Sequence, residues 1–322
     1  MADSCSSPLV GAVAPPESLG IRFRRRSATP SALASLVFVA AVAAACGSGG
    51  SGATTATLST RPVLPTQTLP GPAGLAGGSQ PQPDGYMWLL ARVPGAADLH
   101  LLNLTTAKVT QVVPATASSV AVAQSPSGLV GVGLATGTTG ALELRNGSSG
   151  VLVSTVPLGA PVKDVFAGAD GTTFYVLDGT PTSASVTLVN SQTGKASVSV
   201  PVPLDTVAVA VDPAGQTLFT AGSSGTIDQI AIGSGTVTGS YKIGVTPIQL
   251  AISPSGTTLY VLRSTATADN VAVVDVATEA QVRALPAPAH SVGVEASLDG
   301  HSLYLIVGTG TYGNIQVFAL PG

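Results

Sequence analysis

Charge is what this sequence has least of. Only 9% of its 322 residues are Asp, Glu, Lys or Arg, against about 25% in an ordinary soluble chain. Hydrophobic residues make up 45% and the mean hydropathy is +0.46. That combination excludes compositional disorder, which needs little hydrophobicity and much charge. Thirteen basic against sixteen acidic residues give a net charge of −3, so the electrostatic footprint of a nucleic-acid binder is missing. Three histidines and two cysteines leave few residues for a metal centre or a disulfide framework. Long apolar runs are also lacking. The longest, Leu36 to Cys46, falls short of the roughly 20 residues that span a bilayer. No segment beyond Cys46 repeats its apolar residues at the 3.6-residue period of a helix. The apolar excess instead comes in short pieces, as expected of an all-β chain.

What is present begins with a targeting pattern. Arg22, Arg24, Arg25 and Arg26 precede an apolar run from Ala32 to Ala45. A basic start, an apolar core and small residues before a cut form a secretory signal. The string Ala43-Ala44-Ala45-Cys46-Gly47 resembles the lipobox of bacterial lipoproteins, with Ala43 where leucine is usual. The resemblance implies that Cys46 is acylated and becomes the first residue of the mature chain. Cysteine usage agrees, because Cys5 lies in the signal and Cys46 then has no disulfide partner. The expected mature chain carries nine basic and fourteen acidic residues, so lipid rather than charge would hold it to a membrane. From Gly47 to Pro83 the sequence is mostly Gly, Ser, Thr, Ala and Pro with Arg61 as its one charge, which reads as a flexible tether. The expected domains are a signal peptide over 1–45, a lipidated cysteine and tether over 46–83, and one globular domain over 84–322.

That domain repeats itself. A turn of the form x-Pro-x-Gly or x-x-Asp-Gly recurs with its glycine at Gly85, Gly128, Gly171, Gly215, Gly256 and Gly300, spaced 43, 43, 44, 41 and 44 residues apart. A period in the low forties built from strands is the signature of a β-propeller with one four-stranded blade per repeat. In the fifth repeat, Ile248–Ile252 leads into the turn and Thr258–Leu262 leaves it. Asn270–Asp275 and Gln281–Leu285 follow as alternating strands. The count gives 22 readable strands where six complete blades have 24. The first blade lacks its innermost strand and the last its outermost, so the stretch Leu58–Leu64 is expected to help close the ring.

The string Ser253-Pro-Ser-Gly-Thr-Thr-Leu-Tyr-Val261, followed by Asn270-Val-Ala-Val-Val-Asp275, resembles the YVTN-type β-propeller repeat of archaeal surface-layer proteins and bacterial secreted propellers. The resemblance covers roughly residues 84–320 and implies a fold. Members of that family often have seven blades; the spacing here counts six. The single Trp88 speaks against quinone-type and WD40 propellers, which use tryptophan repeatedly.

Propellers hold their ligands at the central channel. Aligning innermost strands on the turn glycine places Ala121, Asp164, Ala208, Gln249 and Gly293 in one row, and Ala123, Phe166, Ala210, Ala251 and Glu295 in a second. Asp164, Gln249 and Glu295 are the polar exceptions, with His290 in the loop before an innermost strand. Together they form a candidate channel-mouth site for a cation or polar ligand, or a set of solvated channel residues without one. His100 is expected to begin a strand, and His301 follows a turn. No clustered spacing for a metal, no Gly-x-Ser-x-Gly elbow and no phosphate loop is found; Gly131-Val-Gly133 and Gly308-Thr-Gly310 are too short. The sequons at Asn103 and Asn146 carry no weight in a bacterial chain. No catalytic residue, metal or cofactor is therefore assigned. The functional expectation is a lipid-anchored, non-enzymatic binding or scaffold protein on the extracytoplasmic side of a bacterial membrane, engaging another envelope protein or a polymer and no nucleic acid. The alternative, implied by the metal-dependent lactonases of the propeller superfamily, is a hydrolase built on Asp164, Glu295 and His290.

Overall fold

In the computed structural model, residues 64–244, 246–264 and 268–320 are described. They contain 24 strands in six four-stranded antiparallel sheets. Among the described residues no helix is long and apolar enough to cross a membrane. The first strand, β1 (Gln67–Gly71), stands apart from its sequence neighbours. Blade one then runs β2 (Leu75–Gly78), β3 (Tyr86–Val93), β4 (Ala96–Asn103) and β5 (Lys108–Ala115). Blade two is β6 (Ser119–Gln124), β7 (Leu129–Thr136), β8 (Thr139–Asn146) and β9 (Leu152–Leu158). Blade three is β10 (Val162–Ala167), β11 (Thr173–Thr180), β12 (Ser183–Asn190) and β13 (Lys195–Pro201). Blade four is β14 (Thr206–Val211), β15 (Thr217–Gly222), β16 (Thr226–Ala231) and β17 (Thr236–Lys242). Blade five is β18 (Thr246–Ile252), β19 (Thr258–Ser264), β20 (Asp269–Asp275) and β21 (Ala280–Ala287). Blade six takes β22 (Ser291–Ala296), β23 (Ser302–Gly308) and β24 (Gly313–Ala319), and recruits β1 as its outermost strand. The fold is a six-bladed β-propeller.

The repeated turns are chemically the same object. In each, the glycine N–H donates to the carbonyl three residues earlier: Gly85 to Gln82, Gly128 to Ser125, Gly171 to Gly168, Gly215 to Asp212, Gly256 to Ser253 and Gly300 to Ser297, all at 2.8–3.1 Å. Each glycine has positive φ, between 68° and 85°, where an L side chain is strained. The prolines that precede four of them preset φ for the turn. The motif thus recurs because one backbone geometry is needed six times.

The blades are joined by six apolar clusters, one at each junction. Blade two meets blade three through Leu142, Leu144, Phe174 and Val176. The chains approach so closely there that a β-carbon on Gly133 would lie 2.5 Å from Val162; this is the role of the Gly131-Val-Gly133 stretch. Polar stitches reinforce the junctions. The Arg145 guanidinium, ion-paired with Glu143 at 2.8 Å, also donates to the Pro114 carbonyl of blade one. Arg263 reaches the Ile243 carbonyl, beyond the end of blade four.

Ring closure revises the expected domain boundary. Strands β1 and β2 both lie inside the 46–83 segment expected as tether, so the ring starts at Gln67 and not at 84. β1 pairs with β24 from Gln67↔Val317 to Gly71↔Gly313, and β2 supplies the missing inner strand of blade one. Leu69 and Leu75 enter the junction cluster of blades six and one beside Met87, Leu89 and Ile306. Burial of the two leucines, at about 1.5–3 kcal/mol per side chain, adds to the strand pairing in offsetting the entropy lost when residues 67–78 order. Of the Leu58–Leu64 stretch only Leu64 is described, and it is 70% exposed; the rest, with the signal run and Cys46, lies outside the described residues. His100 is also not at a strand start: it pairs with Leu89 in the middle of β4.

Leu69→Ala should cost about 2–5 kcal/mol, lowering Tm by roughly 2–4 °C for each kcal/mol. Leu64→Ala should leave Tm unchanged. Thermal unfolding followed by circular dichroism checks both, and equal effects would place β1 outside the ring.

Candidate functional site

The innermost strands β2, β6, β10, β14, β18 and β22 face the central channel, and every one breaks register at the same place. The breaks fall between Leu75 and Gly77, Ser119 and Ala121, Val162 and Asp164, Thr206 and Ala208, Pro247 and Gln249, and Ser291 and Gly293. The extra residue of a bulge re-aims its side chain. Here the six extra residues, Ala76, Val120, Lys163, Val207, Ile248 and Val292, together collar a chamber of about 130 Å³ at the channel mouth. Five are aliphatic; the sixth is Lys163, exposed at the rim. Below them Asp164 and Gln249 wall the same chamber.

The channel then narrows to about 10 Å³ between Gln80, Phe166, Asp164, Gln249 and Glu295, room for about one water. The two expected rows are therefore real layers, with Ala121, Asp164, Ala208, Gln249 and Gly293 at equivalent register positions. Asp164, Gln249 and Glu295 come together. His290 does not: it is exposed, has φ of 69°, and walls neither the chamber nor the constriction.

Backbone edges explain why polar side chains sit here. An innermost strand is a sheet edge whose unpaired groups face the channel. Asp164 of blade three accepts its own Val165 N–H at 2.9 Å through Oδ1 and the Val209 N–H of blade four at 3.3 Å through Oδ2. Gln249 of blade five does the same one junction pair further on: its Oε1 accepts the Val294 N–H of blade six at 2.8 Å. Its Nε2 donates to Glu295 Oε1 at 3.3 Å. Gln80 of blade one donates to the Ala296 carbonyl of blade six at 3.1 Å. Sequence reasoning missed Gln80 because β2 was read as tether, although counting five residues back from Gly85 lands on it as the other strands' turn glycines land on Ala123 and Glu295.

The electrostatics are those of uncompensated acids. Burial pushes the Asp164 carboxyl up to about 7, against two backbone N–H donors that pull it down. Burial raises Glu295 well above the usual carboxylate range, the Asp164 charge adds to the rise, and the Gln249 amide opposes it. The two acids belong to blades three and six, opposite one another in a six-membered ring. Lys163 does not neutralise them; its ammonium lies back against blade three, where a β-carbon on Gly179 would come within 3.2 Å of it. Among the described residues, no three His, Cys, Asp or Glu side chains are placed to hold a metal ion.

No family model matches the sequence, and no curated protein matches it. Among solved structures the chain is similar to Kuenenia stuttgartiensis hydrazine synthase, with a TM-score of 0.56 at 15% identity, over 79% of this chain and 77% of that one. At that identity the likeness shows the propeller fold alone.

A carboxyl whose folded-state pKa is raised favours the folded state most below its unfolded pKa, near 3.8, and loses that advantage as pH rises through about 7. Wild-type Tm should therefore fall between pH 5 and pH 8. Asp164→Asn keeps an oxygen for only one of the Val165 and Val209 N–H groups, so it should lower Tm at pH 5 while flattening that fall. An unchanged pH slope in the variant would show that Asp164 titrates as an ordinary exposed acid.

Proposed function

We propose that this chain is a lipid-anchored binding module of YVTN-type repeat architecture, carried on the extracytoplasmic side of a bacterial membrane and engaging its ligand or partner through the channel-mouth face. The observation that carries this reading is where the N-terminal segment joins the ring. Thr66 N–H and Oγ1 both bond the Val317 carbonyl, and Gln67 pairs with Val317. That end of blade six is the end of Ser302 and Ala319, beside the Ser297–Gly300 turn. The chain arriving from Cys46 thus enters at the face of the six glycine turns. The chamber opens at the other end of the innermost strands, so the segment that would carry the lipid and the chamber mouth lie on opposite faces of the ring.

Binding fits the site better than hydrolysis. A metal-dependent hydrolase needs carboxylate oxygens free to ligate, whereas both Asp164 oxygens accept backbone N–H groups and Gln249 is committed at both ends. His290, the third residue that reading required, stands away from the channel.

In a bacterial host, the wild-type chain should pellet with membranes and be released only by detergent, because several acyl chains hold far more firmly than one. Cys46→Ser should move it to the soluble fraction. Retention of the variant in the membrane pellet would overturn the anchoring.

A further inference from the structure

The seam between blades six and one lacks a contact that most other junctions have. At three junctions the residue two before one turn glycine packs on the next blade's turn. Pro126 lies against Gly171, Pro213 against Gly256 and Pro254 against Gly300, each within 4 Å of where a β-carbon would sit. Between blades three and four the Tyr175 hydroxyl takes that place, 3.1 Å from the β-carbon position of Gly215. Between blades one and two Gly128 meets nothing, but Gln82 and Trp88 donate across to the Gln124 and Gly147 carbonyls. At the seam Leu298 holds the proline's position, yet a β-carbon on Gly85 would meet only Thr105 of its own blade. A cleft of about 550 Å³ opens there instead, on the face of the glycine turns.

The chemistry of the cleft says what fits it. Pro81, Pro83 and Leu104 of blade one line one wall, and Leu298 and Tyr304 of blade six the other. An apolar groove with an aromatic wall suits extended, proline-containing chain. Leu104, Leu298 and Tyr304 are each only half-buried, so all three have apolar surface left to cover. No basic residue lines the cleft, whereas Asp299 does, and Asp84 lies between the wall residues Pro83 and Gly85. The Ser297 hydroxyl and the His301 N–H bond the Asp299 carboxylate and hold it below the usual range, so it is charged at neutral pH. The fitting occupant is extended, contains proline and carries one positive charge.

The chain itself supplies such a segment beside the cleft. Leu58-Ser59-Thr60-Arg61-Pro62-Val63 precedes β1 and holds no acidic residue. Gln67 pairs with Val317, and Val317 with Tyr304. Gln67 therefore lies two strands, about 10 Å, from Tyr304 on the same face of blade six. Six residues of chain span up to about 20 Å, enough for Arg61 to reach Asp299.

We propose that residues 58–63 dock in the seam cleft as a strap, with Pro62 and Val63 against Leu298 and Tyr304 and the Arg61 guanidinium on Asp299. The strap supplies at the seam the contact that Leu298 does not make with the turn of blade one, and it leaves Leu64 exposed. It depends neither on what the channel mouth binds nor on a lipid at Cys46.

Photo-crosslinking of the detergent-solubilised full chain tests this. With p-benzoylphenylalanine in place of Val63, irradiation should link the segment within one chain. Mass spectrometry should find the link on residues 81–85, 104–105 or 297–304. Arg61→Glu should lower that yield about threefold or more, as expected when an exposed ion pair becomes a repulsion, and Arg61→Lys should preserve it. Amide exchange in the wild-type chain needs no bulky probe: residues 60–63 should exchange at least about tenfold more slowly than in a free peptide of the same sequence. Links on other blades, links between two chains, an unchanged yield in Arg61→Glu, or exchange at the peptide rate would each overturn the proposal.

Discussion

A ring of sheets stands or falls at its last junction. Five of the six contacts between blades join segments that follow one another in sequence, but the sixth must join the two ends of the chain. Here β1 lies against β24, and Leu69 and Leu75 fill the cluster between blades six and one. Without that strand, β24 would expose a backbone edge and Ile306, Ile315 and Met87 would lose their cover. Clefts of about 550 and 530 Å³ flank the seam on the two faces.

The same constraint shapes the channel. Closing six twisted blades brings six innermost edges together, and their unpaired N–H groups need acceptors inside a space too narrow for bulk water. Asp164 and Gln249 supply two of them across neighbouring blades, and Gln80 supplies a donor for an orphaned carbonyl. The polar residues that look like a ligand site are therefore first a structural solution. The mouth itself is lined one residue earlier, by the six bulge positions, five of them aliphatic. With β1 entering at the opposite face, one closure event completes the ring and puts the N-terminal entry and the mouth on opposite faces.

The blades could be read from the sequence because the turn leaves a chemical trace. A glycine at positive φ, often with proline two residues before it, is demanded by the backbone, so it survives as a countable mark at each blade. The register rows followed from the same mark, which is why Asp164, Gln249 and Glu295 stood out. The closing strands left no such trace. Gln67–Gly71 includes Pro70, tolerated only on a sheet edge, and Leu75–Gly78 ends in two glycines, so both looked like linker. Nor could the partners of Asp164 and Gln249 be read, because they are backbone N–H groups of the next blade, some 45 residues away. His290 is next in sequence to an innermost strand, but its side chain is exposed and walls neither the chamber nor the constriction.

Amide hydrogen exchange across residues 66–79 tests the central claim most directly, because exchange reports whether a backbone segment is bonded within a cooperative unit. If β1 and β2 close the ring, the amides of Leu69 and Leu75 should exchange as slowly as those of the inner strands β10 and β14. Exchange of these residues at the rate of an unstructured peptide, with β10 and β14 still protected, would contradict it.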